Sequence, residues 1–250
     1  MSKRKTRVNQ ITAWSFSRYS VYKLCPLKAK LAFIDKIKEP PNDAMARGAE
    51  IHDKAEAYIK GALRQLPTEL KLFKDEIKML RELYKKKLSG IVVEDTWAFT
   101  KDWDETVWND WVRCWVRIKL DCAYYEDTKK KDVMIIDDWK SGKFRPEKND
   151  EYIEQLELYG LAALLLHPHV EVVKPRLAYT DLGRLYPDTD EGEEEIIFTR
   201  KDLPRLKKLW EKRVRPMLKD SVFAPRPNNL CNWCHYRKSN KVNGGGQCKY

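Results

Sequence analysis

No stretch of these 250 residues is apolar for long enough to span a bilayer. The N-terminus, MSKRKTRVNQ, is basic but lacks the apolar segment of a secretory signal. Together these predict a cytoplasmic protein without membrane contact. Also missing is a glycine-rich phosphate loop: Gly244-Gly245-Gly246 is followed by no Lys-Ser/Thr pair. There is no Ser nucleophile elbow and no internal repeat. A nucleotide hydrolase, a serine hydrolase and a solenoid are therefore without support.

Acidic residues fall well short of basic ones. Against 49 Lys and Arg stand 38 Asp and Glu, a formal net charge of +11. Such an excess points to a polyanionic partner, nucleic acid before an anionic membrane surface. Apolar content, 42%, is enough for a real core. In a cytoplasmic setting the six cysteines read as thiols or metal ligands rather than disulfides.

The chain is organised around Arg117 to Lys143, RIKLDCAYYEDTKKKDVMIIDDWKSGK. Two strands are expected, Thr106–Tyr125 and Val133–Trp139, joined by a polar turn at Glu126–Asp132. Period-two alternation puts Asp138 and Lys140 on one face of the second strand and Asp137 on the other. Asp121 closes the first strand. Two converging carboxylates beside an ammonium suit a hard divalent cation and the water it holds. A solvated turn is the competing reading.

Around this centre lie a basic arm (residues 1–12), short helices capped by Ser15 or Ser17 and opened by Pro26, and a helix from Ala44 to Ala62 with apolar positions Gly48, Ile51, Ala55 and Ile59. His52 and Glu56 share a face of that helix, with packed histidine and ligand both open. Further helices are expected over Thr68–Leu88, Glu151–Leu166 and Lys201–Leu218. Further strands are expected over Ile91–Phe99, Val172–Thr180 and Glu194–Thr199. Gln155 and Tyr159 lie one turn apart on the Glu151–Leu166 helix. Five tryptophans between Trp97 and Trp115 suit either core packing or stacking on bases. Cys114 and Cys122 read as small buried residues. Cys231-x-x-Cys234, Cys248 and the distant Cys25 form a possible four-thiolate site for zinc or an iron–sulfur cluster, with His235 as a substitute ligand.

Taken in order, Gly48-x-x-x-His52-x-x-x-Glu56, the Asp121 of IKLDCAYY, IIDDWKSGK and Gln155-x-x-x-Tyr159 resemble the motifs of RecB-type nucleases of the PD-(D/E)xK superfamily. The opening WSFSRYSVYKLCPLKAKLAF and the terminal cysteines resemble the iron–sulfur branch that includes AddB and the CRISPR adaptation nucleases, apart from a longer gap before Cys248. The resemblance implies an α/β (α+β) fold with a mixed central sheet flanked by helices, in one nuclease domain over residues 1–250. Its N-terminal helical segment (13–35) and cysteine-rich segment (225–250) would be joined by a metal cluster.

It further implies Mg²⁺ or Mn²⁺ held by His52, Asp121, Asp138 and the carbonyl of Trp139. Asp121, Asp138, Lys140, Gln155 and Tyr159 would form the catalytic set. A 4Fe-4S cluster, with zinc as alternative, would sit on Cys25, Cys231, Cys234 and Cys248. Glu56 and Glu94 are expected in supporting roles. The implied activity is a DNA nuclease acting from ends, in recombination, repair or phage DNA metabolism. A non-catalytic DNA-binding protein with a structural zinc, and a structural partner of a separate nuclease, are the rivals.

Overall fold

A computed structural model describes residues 9–86, 90–242 and 245–250. Most of the expected basic arm, the last residues of the Thr68–Leu88 helix, and Gly244 lie outside the described residues.

The sheet is mixed and runs in the order β2-β1-β3-β4-β5-β6, with the short β7 also on β5. Its strands are β1 (Val92–Phe99), β2 (Glu105–Thr106), β3 (Val116–Tyr125), β4 (Val133–Lys140), β5 (Val172–Tyr179), β6 (Arg184–Tyr186) and β7 (Phe198–Thr199). All pairings are antiparallel except β4 with β5. A parallel pair needs a long crossover, and α5 (Asn149–Leu166) supplies it. α5 has no polar stripe: ten of its residues are buried, Leu156, Leu161 and Leu164 among them. Pro175 has no N–H to donate. It falls between the stretches of β5 that pair with β6 and with β7, where no donor is needed.

Two apolar clusters cover the two faces. One joins the sheet to α5, to α6 (Leu203–Lys219) and to the N-terminal helices α1 (Phe16–Leu24) and α2 (Pro26–Phe33). Trp14 stacks on Trp210 at 5.3 Å at its centre. The other joins the opposite face to α3 (Asp43–Ile59) and α4 (Lys74–Lys85). The result is the mixed sheet between helical layers that the sequence predicts.

Several expectations need correction. The long first strand is only its second half. Asp110 folds residues 107–115 into turns by accepting from Val112 N–H, Arg113 N–H and Arg113 Nε. Of the five tryptophans, Trp97, Trp103 and Trp115 are core, while Trp111 is exposed. The helix expected from Thr68 begins as a 3-10 turn, Thr68–Phe73. The strand expected at Glu194–Thr199 shrinks to Phe198–Thr199: its Glu195 faces Lys174, and Glu193, just before it, binds Arg184. Ala44 is exposed, and α3 ends before Ala62.

Candidate active site

β3 and β4 pair from Tyr125↔Met134 to Cys122↔Asp137, and there the ladder stops. The next residues, Asp121 and Asp138, lie beyond the last rung. Past that point the edge of β3 is taken by the N-terminal segment. Trp14 N–H donates to Trp115 O (2.9 Å) and Arg117 N–H donates to Trp14 O (2.8 Å). Asp121 partly closes the fork, since its Oδ2 accepts the Trp139 N–H at 2.8 Å in place of a strand carbonyl.

Sidedness also switches here. Leu120 and Ala123 belong to the α5-side cluster and Cys122 to the α3-side cluster. Yet the Asp121 carboxylate meets His52 of α3 at 3.1 Å, so two successive residues reach toward α3. β1 does the same opposite. Val93 is in the α3-side cluster, and Glu94, in the left-handed region at φ 51°, brings Oε1 to 3.4 Å from the same His52 nitrogen. The β1–β3 register skips this pair, passing from Val93↔Cys122 to Asp95↔Leu120. A left-handed glutamate costs on the order of 1 kcal/mol, and such strain concentrates at functional sites.

The site thus draws on both helical layers. From α3 comes His52, whose Nδ1 faces Asp121 and Glu94 and whose Nε2 meets the Trp139 carbonyl at 2.8 Å. From α5 come Gln155 and Tyr159, both on Asp138 Oδ1, Tyr159 OH donating at 2.5 Å and Gln155 Nε2 at 3.1 Å. Asp138 Oδ2 lies 2.5 Å from Lys140 Nζ. Alternation along β4 holds: Asp137 points the other way, to Arg176.

The electrostatics follow from burial. Asp121 is pushed above the usual carboxylate range by burial and by the charge of Asp138. Burial disfavours the His52 cation, but hydrogen bonds to Asp121 and Glu94 and the nearby carboxylate charges outweigh it and raise His52 to about 10. Lys140 is likewise pressed down by burial and held up, on balance, by Asp138 and Asp121. Both are therefore cations at neutral pH. Burial first, then Asp138, keeps the Tyr159 hydroxyl protonated, so it can only donate to that carboxylate.

His52, Glu94 and Asp121 offer ligand atoms within 4.8 Å of one another, a donor set suited to a divalent cation. Glu94 Oε1 and Asp138 Oδ2 are buried oxygens that each face a cation, His52 and Lys140 respectively, so the pocket already holds positive charge against them. Glu94 is thus closer to the centre than its sequence suggests, and Lys119 holds its other oxygen at 2.6 Å. Glu56 is not part of the site; it pairs with Lys60 on the surface of α3. The motif spacing carried no signal for Lys119.

The cysteines lie elsewhere. Cys25, Cys231, Cys234 and Cys248 all line one pocket of about 220 Å³ between α2 and the C-terminal segment. All four are free thiols. Among the described residues no three cysteine sulfurs come within 4.8 Å of one another. Thiolates about 2.3 Å from a zinc would be closer than that. His235 turns to Asn240. The segment is tied to the N-terminal helices by Arg226 N–H on Cys25 Sγ (3.4 Å) and Tyr236 OH on Ile37 O (2.6 Å).

No helix among the described residues is long and apolar enough to cross a membrane. No curated protein sequence matches the chain. A solved structure from Eubacterium rectale, provisionally named an exonuclease, aligns with 90% of this chain and 88% of its own at 13% identity, with a TM-score of 0.47. The family model described as the PD-(D/E)XK nuclease superfamily matches residues 13–239, and the chain belongs to that superfamily.

Proposed function

We propose that this nuclease is a metal-dependent deoxyribonuclease of the RecB-like branch, acting from DNA ends in recombination, repair or phage DNA metabolism. The observation that carries the reading is the fork between β3 and β4, where Asp121, Asp138, Lys140, His52 and the Trp139 carbonyl converge. Asp121, Asp138, His52 and the Trp139 carbonyl would hold Mg²⁺ or Mn²⁺, with Glu94 at its edge. The ion supplies Lewis acidity and neutralises charge on the scissile phosphate.

The chain's own groups do the rest. Lys140, kept as an ammonium, orients the attacking water and stabilises the charge that develops as water adds to phosphorus and the P–O ester bond breaks. Being protonated, it acts as donor rather than base. Gln155 and Tyr159 fix Asp138 through Oδ1, leaving Oδ2 to the reaction centre.

Residues 13–35 and 225–250 would form one unit with the nuclease core, joined by a 4Fe-4S cluster on Cys25, Cys231, Cys234 and Cys248. The pocket that all four cysteines line supports a site shared among them.

End-labelled linear DNA and covalently closed circular DNA, each incubated with Mg²⁺ or Mn²⁺, test the activity. The reading expects loss of the linear molecule from its ends while the circle persists. Nicked circles would instead mean internal cleavage. Intact DNA of both forms with either ion would leave one of the non-catalytic rivals.

A further inference from the structure

A second pocket, of about 410 Å³, opens directly beside the fork. Lys140 stands at its inner edge, and Lys143, Arg145 and Lys148 line its wall. Lys148 is paired with Glu151 at 3.0 Å. The side chains of Lys143 and Arg145 have no carboxylate or other partner among the described residues. Unpaired cations on a flexible loop would mean little, but this loop is pinned. Phe144 turns inward onto Tyr152, Tyr179 and Tyr186, with ring centroids 5.4 to 5.6 Å away. Gly142 N–H donates to Asp181 Oδ2 at 2.7 Å and Arg145 N–H to Tyr152 OH at 3.2 Å. With Phe144 driven into that cluster, its neighbours Lys143 and Arg145 stay exposed on the pocket wall.

We propose that Lys143 and Arg145 form a phosphate subsite that takes a backbone phosphate of the bound strand next to the scissile one. The inference rests on the nuclease reading for its ligand. The site is concave, cationic, pre-organised and continuous with Lys140, and a guanidinium beside an ammonium matches a phosphodiester better than any neutral group. It makes the substrate a polynucleotide strand with a phosphate beyond the bond being cut. A single phosphodiester offers nothing to this wall.

The test is a chemical double-mutant cycle read by binding, in chelator, so that no turnover is needed. Single-stranded oligonucleotides carry one neutral methylphosphonate, stepped along the strand. They are bound to wild-type protein, to the Lys143→Ala/Arg145→Ala double variant, and to a Lys129→Ala/Lys130→Ala control. The control removes equal charge from the exposed β3–β4 turn, at the far end of those strands.

At one position, neutralising the phosphate should weaken wild-type binding by on the order of tenfold, as loss of a charged hydrogen bond does. The same change should leave the double variant unaffected. The slope of log affinity against log salt should fall by about 0.7 in the double variant, one phosphate on a single strand. If the effect appears only with a 5′- or 3′-terminal phosphate present, the subsite reads a strand end; if it appears on internal phosphates, it reads the backbone. Equal effects of every methylphosphonate in all three proteins would overturn the subsite. So would a double variant that binds like the control, or wild-type protein that does not bind the strand. Wild-type cleavage of the unmodified strand with Mg²⁺, run in parallel, reports on the nuclease reading separately.

Discussion

The carboxylates of Asp121 and Asp138 stand where the next rung of the β3–β4 ladder would be, and the strands part instead. The Asp121 side chain accepts the Trp139 N–H that a strand carbonyl would have taken. The separation lets groups from both helical layers reach one point between the strands.

The His52 ring has both nitrogens on oxygens, Asp121 and Glu94 at Nδ1 and the Trp139 carbonyl at Nε2. An imidazolium therefore stands where a cation would. Its pKa, about 10, lies above the unfolded value near 6.5. The stability it gives the metal-free protein is thus fully present below about pH 6.5 and is lost as pH rises toward 10. The difference in unfolding free energy between wild type and His52→Gln in chelator should shrink over that window. Mg²⁺ affinity should rise over it, because the proton must leave. A pH-independent difference between the two proteins would contradict this.

Tyr159→Phe removes the donor on Asp138 Oδ1 and leaves Gln155 to hold the carboxylate alone. The reacting groups remain in place but less well fixed. Steady-state cleavage should show kcat reduced by on the order of tenfold or more with KM little changed. A rise in KM with kcat unchanged would mean that Tyr159 binds substrate rather than positioning Asp138.

On the opposite side of β4, Asp137 is fully buried and shares Arg176 with Glu76 and the Tyr124 hydroxyl. Burial, only partly offset by Arg176, raises Asp137 to about 7. Arg176→Met strands that carboxylate. Denaturant unfolding at pH 8 should show a loss of about 3–5 kcal/mol, smaller at pH 5, where the carboxyl can take up a proton. Equal losses at both pH values would show that packing, not charge, was removed.

The cysteine pocket joins residues separated by most of the chain, so a shared cluster would remove a large loop entropy from the unfolded state. Protein purified without oxygen should be brown and contain iron and labile sulfide. Cys231→Ser should bleach it and lower its melting temperature. Colourless protein with stoichiometric zinc would replace the iron assignment, and protein with neither metal would remove the site.

How much of this was legible in the sequence depends on the range of the interaction. The β4 alternation, the apolar spacing of α3 and the one-turn spacing of Gln155 and Tyr159 on α5 are local patterns, and they placed Asp138, Lys140, His52, Gln155 and Tyr159 on their elements. Motif order suggested that they belong together. The turns at 107–115 read as strand in the sequence because Asp110 spends its carboxylate on a turn while the flanking residues keep a strand-like pattern. Glu94 was underrated because its approach to His52 depends on a left-handed backbone and a skipped rung, which leave no mark in side-chain periodicity. The anchoring of Phe144 among three tyrosines drawn from α5, β5 and β6 is tertiary, so no local pattern sets Lys143 and Arg145 apart from other basic residues.

The most direct test of the central claim is cleavage of end-labelled DNA by wild type, Asp138→Asn and Lys140→Ala, with and without Mg²⁺, beside DNA binding by the same three proteins. The account predicts Mg²⁺-dependent cleavage by wild type, a loss on the order of 10²-fold or more in each variant, and binding that largely survives. Cleavage by both variants at the wild-type rate would contradict it.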